Sequence, residues 1–125
     1  MKPPVETIRV SQRGKEILIK LKRNTGLDQW NVLCRWALCA SLMRESKPPK
    51  LKGMEESNIE MTWRTFAGPQ GDHFAALVKS RADKHGVDLH QPDEVADYFR
   101  AHLERGISNI QNIRNLAVLL TERGY

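Results

Sequence analysis

Residues 11–42 read SQRGKEILIKLKRNTGLDQWNVLCRWALCASL, and this stretch decides the fold. Ser11 is placed to cap a helix over residues 12–24, its hydroxyl accepting from a backbone N–H of the first turn. Gly26 is placed to end it, because glycine takes the left-handed backbone that helix stops use. Ile17, Leu18 and Leu21 make an apolar stripe, and Lys15, Lys22 and Arg23 gather on the far side, with Ile19 among the cations. Asp28 then offers a cap to a second helix, residues 29–45. Its apolar residues run nearly all round, and only Asn31 and Arg35 leave a polar strip. A helix apolar on most sides is buried on most sides. One short chain has few elements to bury it with. A homo-oligomer, dimer or tetramer, is therefore expected, meeting through Trp30, Leu33, Trp36, Leu38 and Leu42.

Upstream, Thr7-Ile8-Arg9-Val10 alternates and predicts a short strand over residues 6–10. Downstream, Ser46-Lys47-Pro48-Pro49-Lys50-Leu51-Lys52-Gly53 cannot be helical, because two prolines forbid it. Residues 57–66 alternate again, with Ile59, Met61 and Trp63 on one side, and predict a strand near 58–66 or an extended cover over the core. Gly68-Pro69-Gln70-Gly71 is a turn. Three further helices are expected: 72–85 capped by Asp72 and stopped by Gly86, 94–105 capped by Asp93 and stopped by Gly106, and 109–123 capped by Ser108. The expected fold is mainly α: about five helices and one or two short β segments, near residues 6–10 and 58–66, in a single compact domain over residues 1–125. Its 125 residues, 40% hydrophobic, suffice for one core.

Charge divides the chain. Residues 1–52 hold 12 Lys/Arg and 4 Asp/Glu, net +8, and residues 53–125 hold 8 and 11, net −3. A basic half beside a mildly acidic half suggests an anionic partner for the first. No apolar run reaches the roughly 18 residues of a membrane span. Residues 1–15 lack the apolar core of a secretory signal, so a cytoplasmic protein with no membrane partner is expected. Cys34 and Cys39 lie about 140° apart around a helix and read as two small buried hydrophobes rather than a disulfide or a metal pair.

Catalytic chemistry finds no foothold. His73, His85, His90 and His102 form no paired helical ligand set, and His102, beside Tyr98 and Phe99, reads as a hydrogen-bonded structural histidine. Asp93, Glu94 and Asp97 sit where a helix N-terminus stabilises carboxylates. No serine or cysteine stands in a nucleophile elbow, and Gly68-Pro69-Gln70-Gly71-Asp72 lacks the Lys-Ser/Thr of a phosphate loop. No catalytic residue, metal or cofactor is assigned. The cations remain: Arg9, Arg13, Lys15, Lys20, Lys22, Arg23, Lys47, Lys50 and Lys52. Lysines are flexible point charges, suited to phosphate more than to base edges, and few aromatics interleave with them. They predict sequence-indifferent contact with the backbone of double-stranded DNA. The bland alternative is a solvated basic face.

Two resemblances follow. The order strand, capped helix, Asn24-Thr25-Gly26 turn, capped helix over residues 6–45 resembles ribbon-helix-helix proteins, in which two chains pair their strands. That resemblance implies a transcriptional repressor reading bases with Thr7 and Arg9. The second covers essentially the whole chain. Leu18-Ile19-Lys20-Leu21-Lys22-Arg23-Asn24-Thr25-Gly26-Leu27-Asp28-Gln29-Trp30, continuing to Cys39, together with Trp63-Arg64-Thr65-Phe66-Ala67-Gly68, looks like the DndE family of DNA sulfur modification proteins. It implies a part in bacterial DNA phosphorothioation, in which sulfur replaces a non-bridging phosphate oxygen and partner proteins carry the sulfur chemistry. The expected function is a non-catalytic DNA-binding accessory subunit that holds duplex backbone, nicked duplexes included. The alternatives are a scaffold that docks the other modification proteins through an exposed Trp63–Phe66 segment and the acidic half, or the repressor.

Overall fold

The decisive stretch folds as its local chemistry dictates. In the computed structural model, which describes residues 1–114, strand β1 (Thr7–Ser11) runs directly into helix α1 (Gln12–Thr25). Ser11 ends the strand and caps the helix, its hydroxyl accepting from the Gly14 N–H at 2.9 Å. Gly26 closes α1 in the left-handed conformation, φ 76°, its N–H donating to the Lys22 carbonyl. Helix α2 (Trp30–Leu42) starts two residues after Asp28, with Gln29 at the cap position and no side-chain cap. The expected Asp28 cap is therefore not made.

Strand β2 (Glu56–Thr62) pairs antiparallel with β1 of the same chain, Ile8 opposite Met61 and Arg9 opposite Glu60. A register shift lies between Arg9 and Ser11, and there the Ser57 hydroxyl donates to the Val10 carbonyl. The ribbon-helix-helix pattern needs the strand of a second chain at this place; here the partner is internal.

The alternation does not extend to residue 66. Thr62 caps a short helix α3 (Trp63–Ala67), its hydroxyl accepting from the Thr65 N–H. Trp63 and Phe66 turn inward, 8% and 0% exposed. They pack on Phe99, with ring centroids 5.5 and 5.6 Å away. The expected strand over 58–66 and its exposed Trp63–Phe66 docking segment are corrected together. Thr62 both ends the strand, opposite Thr7, and caps the helix, and a helix puts both rings on the core side.

A 3-10 turn (Gly68–Gln70) leads into α4 (Gly71–Lys84), and α5 (Pro92–Ile110) follows. Asp72 and Asp93 sit inside first turns rather than at caps, where their charge still favours the helix dipole. Gly86, φ 80°, follows the end of α4 as expected. Gly106 does not stop α5. The helix continues through it, and a Cβ at Gly106 would lie 1.7 Å from the Ala37 carbonyl oxygen. The glycine is a close-approach site, and α2 packs on α5 more extensively than any other pair of elements. Ser108 lies within α5, and the rest of the expected helix over 109–123 beyond residue 114 falls outside the described residues.

Helix α2 forms the centre of the core. Leu33, Cys34, Ala37, Leu38 and Ala40 are buried in it, each at most 2% exposed. Among the described residues no helix is long and apolar enough to cross a membrane.

Candidate nucleic-acid interface

The nine cations expected to face phosphate fall into three groups with different surroundings. The first stands at the sheet and the start of α1. Arg9 crosses to β2, with Nη2 2.9 Å from Glu60 and Nε 3.4 Å from Glu56, and also donates to the Ser57 carbonyl. Its charge is largely met by those carboxylates. Arg13 donates to the Ser108 hydroxyl at 2.7 Å and Lys15 to the Asn58 side-chain oxygen at 2.6 Å. Neutral acceptors fix where those two point and leave their charge in place.

Lys20, Lys22 and Arg23 form the second group, toward the end of α1. Cations there also offset the negative end of the helix dipole. Lys22 lies over the Trp30 ring, 4.1 Å from its centroid. Lys20 and Arg23 are exposed and have no acceptor among the described residues.

The third group is the connector, residues 43–55, which leaves the other end of α2. Lys47, Lys50 and Lys52 are exposed and likewise have no acceptor among the described residues. The connector itself is well anchored. Pro48 is buried, Arg105 Nη1 donates to the Ser46 carbonyl at 3.0 Å, His85 Nε2 to the Glu45 carbonyl at 2.8 Å and Arg81 Nη1 to the Arg44 carbonyl at 3.0 Å. Helix α2, with 13 residues and so about 20 Å long, lies between the second and third groups in the chain.

Behind the connector lies an arrangement that sequence reasoning missed. Arg105 Nε donates to the Ser41 hydroxyl at 2.8 Å, Ser41 reaches His102 Nδ1 at 2.7 Å and His102 Nε2 reaches the Tyr98 hydroxyl at 2.9 Å. Tyr98 meets His85 Nδ1 at 2.8 Å, and His85 Nε2 ends the chain on the Glu45 carbonyl. An arginine N–H only donates and a carbonyl only accepts, which fixes the two ends of the chain, while the hydroxyls and rings between them can both donate and accept. Burial, then the charges of Arg105, Arg81 and His85, pushes His102 down to about 3. Burial also pushes Tyr98 up to about 12, against the pull of Arg81 and Arg105. Arg105 is shifted downward by its own burial and by Arg44.

A serine hydrogen-bonded to a histidine has the form of a nucleophile and its base. Ser41 and His102 are both 0% exposed, so no substrate reaches them. The arrangement acts as a clasp between the connector, α2, α4 and α5. The expected role of His102 as a hydrogen-bonded structural histidine holds. Arg81 and Arg105 lie in the acidic half of the sequence, and only the packing of α4 and α5 brings them to the connector.

Cys34 is wholly buried, and burial, with the Glu104 charge adding, pushes its thiol up to about 12. Cys39 is half-buried. Among the described residues no three His, Cys, Asp or Glu side chains gather as metal ligands. On α2, Leu33 and Leu38 lie within the chain's own core, 1% and 0% exposed, whereas Trp30, Trp36 and Leu42 are half-buried. Val32, Trp36, Cys39, Pro69 and Phe74 line an open apolar groove beside Arg35.

A family model described as DNA sulphur modification protein DndE matches residues 7–117. Among solved structures, the chain is similar to the crystal structure of a DndE mutant involved in DNA phosphorothioation. The two share 18% identity with a TM-score of 0.64, over 86% of this chain and 98% of that one. At that identity the likeness is one of fold. No curated protein matches the chain.

Proposed function

This chain belongs to the DndE family of DNA sulphur modification proteins, and we propose that it serves phosphorothioation as a non-catalytic subunit that holds duplex DNA by its backbone. The observation that carries this reading is the set of exposed cations without acceptors among the described residues: Lys20 and Arg23 on α1, and Lys47, Lys50 and Lys52 on the connector. Arg13 and Lys15 keep their charge and add to the first of these faces. Arg9, paired with two glutamates, contributes least. Exchange of a phosphate oxygen for sulfur calls for an accessible, held backbone, and lysines hold phosphate without reading sequence. The reading implies a bacterial cytoplasmic setting and the other modification proteins as partners.

One apolar feature supports an added protein contact. The groove at Val32, Trp36 and Phe74, with Leu77 56% and Met43 58% exposed nearby in sequence, suits a homo-oligomer, dimer or tetramer, using Trp30, Trp36 and Leu42 rather than the internal Leu33 and Leu38. Assembly of copies would multiply the modest cationic face of one chain.

The test is a salt-series titration against intact and nicked duplexes of unrelated sequence. Log affinity is expected to fall linearly with log salt, with a slope of about 0.9 per neutralised phosphate. Sequence should not matter, and a nick should strengthen binding. Lys20→Glu and Lys50→Glu should each weaken every duplex alike and lower the slope. Absence of binding at low salt overturns the reading in favour of a protein scaffold.

A further inference from the structure

The connector does more than carry lysines. It lies across α5 and the turn after α4 and closes a cavity of about 290 Å³. Val87, Tyr98 and Ala101 supply one apolar side of it, and Pro48 and Leu51 of the connector the other. Tyr98 is 5% exposed with its hydroxyl engaged by two histidines, so a narrow strip of its ring forms the floor of the cavity. Charged groups complete the lining. Arg100 and Asp97 pair with each other at 3.4 Å. Lys47, Lys50 and Glu94 also line the cavity, and their side chains have no ionic or hydrogen-bonding partner among the described residues. Two cations and a carboxylate therefore stand unmatched around an apolar slot.

We propose that this slot takes a single nucleotide turned out of a DNA strand, its base between Tyr98 and the Pro48–Leu51 side and its phosphate on Lys47 and Lys50. The inference rests on the DNA-binding reading above and extends it to one site. Three features match a nucleotide. The cavity approaches the roughly 300 Å³ at which small-molecule sites begin, room for one base and not for a stacked pair. Its apolar walls suit the face of a ring, the usual way an unstacked base is held. The Glu94 carboxylate only accepts hydrogen bonds, so it favours a base that presents an amino group, as carboxylates do toward cytosine. Thymine has no amino group to offer. The anchored connector keeps the slot formed in advance, and the hydrogen-bonded clasp behind it holds Tyr98 in place.

The experiment uses the full chain and the four deoxynucleoside monophosphates as probes, followed by amide resonances in nuclear magnetic resonance. Perturbations are expected at Gly86, Val87 and Ala101, with the thymine nucleotide about tenfold weaker than the cytosine one. Glu94→Gln, on an exposed side chain, should level that preference without loss of folding. Ala101→Trp should block the nucleotide and leave intact-duplex binding unchanged. If it unfolds, Val87→Phe with Leu51→Phe gives a second way to fill the slot. Perturbation of lysines alone, reproduced by inorganic phosphate, overturns the slot as a base site. Duplex binding that persists while no mononucleotide reaches Val87 overturns the slot and spares the DNA-binding reading. Loss of duplex binding at low salt overturns that reading itself.

Discussion

His102 shows how much one residue can carry here. It is wholly enclosed, hydrogen-bonded to Ser41 through Nδ1 and to Tyr98 through Nε2, and burial holds it neutral with its pKa at about 3. In the unfolded chain an imidazole titrates near 6.5. The unfolded state thus binds more protons below that value, and the stability contributed by the neutral ring is complete above it and is lost as pH falls. By about pH 5 the loss should reach about 2 kcal/mol. Urea midpoints across this range check it: wild type should show the loss, and His102→Gln should start lower and lose correspondingly less on acidification. A wild-type curve flat through the range would mean the ring is not held neutral. Tyr98→Phe tests the same chain at its next link. It leaves His102 Nε2 without its partner and should cost about 1–3 kcal/mol at neutral pH.

At the scale of elements, the contact of α2 with α5 sets the geometry of everything around it. Gly106 allows it, since any side chain there would meet the Ala37 carbonyl. Gly106→Ala should force the helices apart and cost about 3 kcal/mol or more. Gly53→Ala, at φ 58° with open space around it, should cost only about 1 kcal/mol. Chemical denaturation compares the two; a Gly106→Ala variant that is unchanged or stabilised, as an ordinary mid-helix glycine would give, would show that α2 and α5 do not approach this closely. The β1–α1 junction is fixed to the same helix. Glu104, 6% exposed, accepts from the Ser11 N–H at 3.0 Å and from its hydroxyl at 2.5 Å. That hydroxyl in turn caps α1. The cap at Ser11 was legible from its position before an amphipathic run. Its carboxylate partner was not, because 93 residues separate them and no local pattern marks a glutamate that turns inward.

On the scale of the whole molecule, the cations do not form one patch. Those on α1 and those on the connector leave opposite ends of α2. Lys20 and Lys50 share no partner among the described residues, and groups without a shared partner act independently. Charge reversal of Lys20 and of Lys50 should therefore add in log affinity for duplex DNA, and the double variant should show the product of the two single losses. A clear departure from that product would mean that the two faces contact one phosphate cluster, through an assembly of copies.

Local chemistry along the chain determined the two strands, the Ser11 cap, the Gly26 and Gly86 stops, and the separation of a basic half from an acidic one. Each depends on neighbours within a few residues, where spacing and residue type govern the outcome. Tertiary structure decided the rest. The alternation through Trp63–Phe66 continued a strand pattern, but a Thr62 cap and the aromatic core made it a helix. Gly106 looked like a stop because glycine is a poor helix former, and only the nearness of α2 shows why it is needed in mid-helix. The apolar girth of α2 pointed outward to other copies, yet α5 covers most of it. Which cations stay available was also a tertiary outcome: Arg9 is neutralised across the sheet, and Arg81 and Arg105 reach the connector only when distant helices pack. Long-range burial and pairing decide such matters, and they depend on which side chains meet, a property no short window of sequence contains.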